Sequence, residues 1–99
     1  MDNSNLEESE ASLRTAELTP RQVKLLLEYG YPFSDQEQIL RNSRAVKGYH
    51  HVRLGEYWIE LMIGDLVRSA KEIRSTSLLE EIDELCDVLE FALNDRPNY

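Results

Sequence analysis

The segment 78–93 limits what this chain can fold into more than any other. Leu78, Leu79, Ile82, Leu85, Cys86, Val88, Leu89, Ala92 and Leu93 share one side of a helical period of about 3.6 residues. Glu80, Asp83, Glu84, Asp87 and Glu90 occupy the other side. A helix patterned in this way has to bury its stripe against a second layer of structure. Ser77 followed by Glu80 reads as a capping box at its start, and Pro97 bars its extension.

Two similar boxes lie upstream. Thr19, Pro20 and Gln22 suit the N-cap, N1 and N3 positions of a helix that buries Val23, Leu26 and Leu27, with Leu25 and Tyr29 widening the face. Gly30 is its expected left-handed stop, and Pro32 keeps Tyr31 out of helical geometry. Ser34 and Glu37 mark a second helix over 35–44, with Phe33 as a hydrophobic staple and Ile39 and Leu40 as its main apolar contacts. A third helix, over 56–74, carries Ile59, Met62, Ile63, Leu66, Ala70 and Ile73 at helical spacing, with Trp58 extending that face. Tyr57 and Leu61 make its first half apolar over most of the circumference, which predicts a central position. Asp65 on this helix needs a partner, for which Arg68 three residues on or the amides of another helix terminus would serve, and Gly64 beside it leaves room for another helix to approach.

These spacings predict an all-α fold, a small bundle of about four helices. The helical domain spans 18–95, after a disordered acidic tail at 1–17 and before a short tail at 96–99. One segment keeps an α+β alternative open. Val52 and Leu54 alternate with His51 and Arg53, and 57–63 is rich in strand formers, so a short hairpin around 49–63 is the competing arrangement. The chain has 99 residues, enough for one core and too few for two.

Composition narrows the function classes. Cys86 is the only cysteine, so no internal disulfide can form, and its place in the apolar stripe reads as a small buried hydrophobe. No apolar run approaches the ~20 residues a membrane helix needs. Residues 1–10 lack the basic and apolar regions of a signal peptide, and a cytoplasmic protein is expected. The net charge of −8 opposes nucleic acids and anionic membranes. That charge is uneven: acids dominate both ends, and from Gln38 to Gly55 there is none.

The acid-free stretch supplies a candidate anion-binding surface of Arg41, Arg44, Lys47, Tyr49, His50 and Arg53, with Tyr49 able to stack on a base. Here Leu18-Thr19-Pro20-Arg21, with Ser43-Arg44-Ala45-Val46-Lys47 downstream, is loosely similar to the helix-turn-helix of LuxR-type regulators. The resemblance implies a recognition helix near 43–47, although the turn glycine is missing and Gly48 interrupts the segment. His50 and His51 are adjacent in an extended stretch, point to opposite sides and cannot chelate one ion together.

Glu80-Glu81-Ile82-Asp83-Glu84 has the form E-E-x-x-E. In this it resembles the magnesium-dependent all-α nucleoside triphosphate pyrophosphohydrolases. The resemblance implies carboxylates from two helices converging on Mg²⁺, with Glu56 and Glu60 as the second set. The family's further E-x-x-D on a later helix does not follow here. No glycine-rich phosphate loop, Ser-His-Asp set or paired-cysteine motif is present, and no cofactor or metal is expected.

The favoured reading is therefore a small, non-catalytic interaction or regulatory module. Its candidate partner surface is Glu80, Asp83, Glu84, Asp87, Glu90 and Phe91, the last either an exposed aromatic set among the acids or a ring folded under the C-terminal tail, 96–99. A basic protein is the expected partner, with self-association as the alternative.

Overall fold

A computed structural model of the chain describes residues 13–94. Seven elements follow one another: β1 (Leu13–Leu18), α1 (Pro20–Tyr29), α2 (Ser34–Asn42), β2 (Ala45–Val46), β3 (Tyr49–Gly55), α3 (Glu56–Ala70) and α4 (Thr76–Asn94). The fold is α+β, which overturns the all-α expectation. The strands form an antiparallel sheet in the order β1-β3-β2.

The sheet arises where local patterning is weakest. Residues 13–17, expected in an unstructured tail, belong to β1, while 1–12 and 96–99 lie outside the described residues. β1 alternates Thr15 and Glu17 outward with Ala16 and Leu18 inward, and β3 alternates His51 and Arg53 outward with Val52 and Leu54 inward. Pairing Ala16 with Val52 and Leu18 with His50 places both apolar sets on one face. The expected extended stretch at Val52 and Leu54 is thus a strand, but its partners are β1 and β2. Residues 57–63 are helical, so the alternative hairpin around 49–63 does not form.

β2 and β3 are joined by Lys47 and Gly48, both at positive φ (56° and 90°). Two left-handed residues in a two-residue loop make the hairpin turn whose twist matches that of the strands. α3 leaves β3 with no intervening loop, its N-cap being Gly55. A Cβ at Gly55 would sit 2.7 Å from Trp58 Cδ1, so only glycine lets the indole lie against the backbone there. Gln36, the buried polar residue of α2, accepts a 3.4 Å hydrogen bond from the Gly55 amide and ties α2 to this junction.

All four helices cover the apolar face of the sheet. The core joins Ala16, Leu18, Val52 and Leu54 to Val23, Leu25 and Leu26 of α1, Leu40 of α2, Ile59, Met62 and Leu66 of α3, and the inner stripe of α4. α3 is not central as expected: Tyr57, Leu61 and Val67 are exposed and only one side is buried. It ends at Ala70, short of 74. Gly64 meets no neighbour, and the α1–α3 approach is made instead by Ser69, whose Oγ donates to the Tyr29 carbonyl at 3.0 Å. The expected Asp65–Arg68 pair is present. None of the helices is long and apolar enough to cross a membrane.

The caps divide. Thr19 forms the full box with Gln22, its Oγ1 accepting from the Gln22 amide at 3.1 Å while Gln22 Oε1 accepts from the Thr19 amide at 3.0 Å. Gly30 closes α1 in right-handed geometry (φ −93°), and Tyr31 is the left-handed residue (φ 47°). At α2 the N-cap is Phe33, without a side-chain cap, and Ser34 is already helical. The Phe33 ring lies against Trp58, with centroids 4.7 Å apart and the planes tilted by 40°. At α4 the capping hydroxyl is that of Ser75, which accepts from the Leu78 amide at 3.3 Å, so Ser77 lies inside the helix.

Thr19→Ala is expected to destabilise the fold by about 1 kcal/mol. Ser34→Ala, with no cap to lose, should change it by less than about 0.5 kcal/mol. Chemical denaturation of the two variants checks the pair; equal losses would contradict this assignment of caps.

Candidate partner-binding surface

α4 owes its position to its stripe. Ile82, Leu85, Cys86, Leu89 and Ala92 are buried, with Leu78, Val88 and Leu93 packed at the margin. Burial of Ile82, Leu85 and Leu89 contributes roughly 1.5–3 kcal/mol each and holds the helix against β1 and α3. The opposite side is thereby fixed outward. Glu80, Asp83, Glu84, Asp87 and Glu90 are exposed, and Phe91 is 69% exposed. Glu84, Asp87 and Phe91 follow one another at i, i+3 and i+7, so the ring lies in line with carboxylates on one side of the helix.

The structure adds a wall that sequence patterning missed. A groove of about 450 Å³ runs between α4 and β1, lined by Thr15, Ala16 and Glu17 on one side and Asp87, Val88, Phe91 and Ala92 on the other. Glu17 thus joins the acidic surface, its Oε2 3.5 Å from His51 Nε2 on the neighbouring strand. The signal that could have found this wall is the alternation of Thr15, Ala16, Glu17 and Leu18.

Glu81 stands apart from the other acids of α4. Its carboxylate accepts two hydrogen bonds from Arg21 of α1, from Nε at 3.1 Å and from Nη2 at 3.0 Å. These bonds, and the charge of the guanidinium, hold the Glu81 carboxyl below its ordinary range and raise Arg21 above its own. Glu81 is therefore engaged by Arg21 at the surface, between α1 and α4. Among the described residues no three His, Cys, Asp or Glu side chains gather as a metal site. Cys86 is buried as expected, and burial pushes its thiol up to about 11, away from nucleophilic use.

The candidate anion-binding residues do not form one surface. Tyr49 and Arg53 point from the open face of the sheet, and Lys47 sits at the tip of the hairpin. Arg44 is exposed between α2 and β2, and Arg41 is held by Glu37 at 2.8 Å. His50 turns the other way and lies 2.7 Å from Ser43 Oγ. The Ser43 hydroxyl donates to the Leu40 carbonyl at 2.7 Å, so His50 Nδ1 is the donor to Ser43. Arg41 and His50 line a shallow hollow with Lys24 and Ser43. The segment 43–47 is coil, β2 and the start of the turn, so no recognition helix exists where the LuxR-type resemblance placed it.

A second cluster also escaped sequence patterning. Phe33 and Tyr57, 59% and 62% exposed, both pack on Trp58, the Tyr57 ring edge-on at 5.0 Å.

No family model matches the chain, and neither a curated protein nor a solved structure matches it.

Arg21→Gln should return the Glu81 carboxyl to its ordinary range in a side-chain NMR titration. Because the folded-state value is the depressed one, the pair contributes stability at neutral pH and loses it as pH falls through the Glu81 titration. Wild type and variant should thus converge in stability in acid, and the difference at neutral pH should be small because both groups are exposed. An unshifted Glu81 titration would contradict the ion pair.

Proposed function

We propose that the chain is a non-catalytic protein-interaction module that holds a basic partner protein against the outward side of α4. The observation that carries this reading is Phe91, 69% exposed, in line with Glu84 and Asp87 and beside an open groove. An exposed ring flanked by carboxylates can bury apolar area while the acids neutralise lysine or arginine around it. The acids steer encounter and the ring supplies the anchor, so the two parts act on different stages of binding. A second copy of the chain is a poorer occupant of this face, since each copy carries a net charge of −8. A cytoplasmic setting goes with this reading, as the one cysteine, Cys86, is buried and gives the chain no internal disulfide framework.

The full chain, immobilised, should retain a specific basic protein from its native lysate at low salt and lose it as salt rises. Phe91→Ala should weaken that complex by about 2 kcal/mol or more with circular dichroism unchanged. A variant with Asp83→Asn, Glu84→Gln, Asp87→Asn and Glu90→Gln should slow association. Equal retention by all three forms would remove this surface from the account.

A further inference from the structure

We propose that the edge of β1 turned away from β3, where it lines the groove against α4, accepts an extended basic segment of the partner protein as an additional strand of the sheet. This deepens the reading of the α4 surface and rests on it. β1 lies at one end of the order β1-β3-β2 and, among the described residues, pairs only with β3. In an antiparallel strand alternate residues turn both their N–H and C=O groups to the same side, so about half of the main-chain groups of β1 face away from β3.

The groove reaches that edge. Thr15 and Glu17 belong to the open face of the sheet and Ala16 to the core face, and one groove touches all three. A cavity in contact with consecutive residues from both faces runs along the edge of the strand, where a guest backbone would lie about 4.8 Å from β1.

The walls specify the guest. Successive side chains of a strand point to opposite faces. One set would meet Ala16, Val88, Phe91 and Ala92 and has to be apolar; the other would meet Thr15 and Glu17 and is matched by lysine or arginine. Asp87 on the helix wall and Glu17 on the strand wall, with Glu84 one turn before Asp87 on the same side of α4, make the groove negative and select a basic segment. The guest is therefore an extended stretch alternating apolar and basic residues, bound by main-chain pairing for affinity and by the two walls for specificity.

The probe is a fluorescent eight-residue peptide alternating lysine and valine, titrated against the full chain by anisotropy. Its comparison is the same peptide with alternate backbone amides N-methylated, which keeps every side chain and removes strand pairing along one edge. Both frames of methylation are made, since only one edge faces β1. Strand addition predicts that one frame binds at least about tenfold more weakly than the other. It also predicts that amides of β1 within Thr15, Ala16 and Glu17 gain hydrogen-exchange protection on binding, and that Phe91→Ala weakens the parent peptide. Equal binding of both frames without new β1 protection, but still lost in Phe91→Ala, would overturn strand addition and leave the α4 surface as the partner site. No binding of the parent peptide would overturn this inference, and retention of a basic protein through Phe91 would then still uphold the broader reading. Protection of all β1 amides in the free chain would show the edge already covered by residues 1–12 or 95–99, and would also overturn it.

Discussion

The structure depends on the antiparallel pairing of β1 with β3. It joins residues 13–18 to 50–55 across α1, α2 and the β2–β3 hairpin. The register is set by burial: a slip of one residue would exchange Ala16 and Leu18 for Thr15 and Glu17 on the core face. With the register fixed, only one face of the sheet is apolar, and all the helices collect there. The other face keeps Thr15, Glu17, Tyr49, His51 and Arg53 in solvent. The same pairing makes β1 an edge strand and sets it beside α4. The groove is thus a consequence of the topology: α4 docks on the core side of the sheet, and nothing among the described residues extends the sheet beyond β1.

What could be read from the sequence follows the range of the interaction. The Thr19–Gln22 box and the Asp65–Arg68 pair are contacts over three residues, and each forms as its spacing requires. The α4 stripe is also local, which is why the outward positions of its acids and of Phe91 were legible. β1 was not. Only Ala16 and Leu18 supply apolar inward positions in a short segment that follows an acidic stretch, and the partner strand lies far along the chain. A period-two signal that weak means strand only once its partner is known. The candidate site was accordingly half legible: the helical wall was visible and the strand wall was not.

The caps show a subtler limit. Ser34 and Glu37 fit the capping pattern as well as Thr19 and Gln22 do. At α2 the helix nevertheless begins one residue early, with Phe33 extended at the cap (φ −66°, ψ 161°) and its ring on Trp58. An aromatic contact between distant segments sets the entry of the chain there, and the residue types of the local motif do not reveal it. The same contact explains the misread centre of α3. Tyr57 and Trp58 are apolar on both sides of the helix because Trp58 gathers a small aromatic cluster at the surface, rather than because α3 is enclosed.

The acids of α4 are arranged against the stability of their own helix. Glu80 and Glu84, like Asp83 and Asp87, stand four residues apart, and like charges at that spacing cost roughly 0.2–0.5 kcal/mol per pair. A helix selected for stability alone would carry lysine or arginine at some of these positions. Among the described residues the cation bonded to α4 is Arg21, and it engages Glu81 outside the Glu84–Asp87–Phe91 line. The buried stripe outweighs these small penalties, so the fold tolerates them. Cations brought by a partner would relieve the repulsion, and Phe91 would be buried in the same event. Affinity and local stability would then rise together.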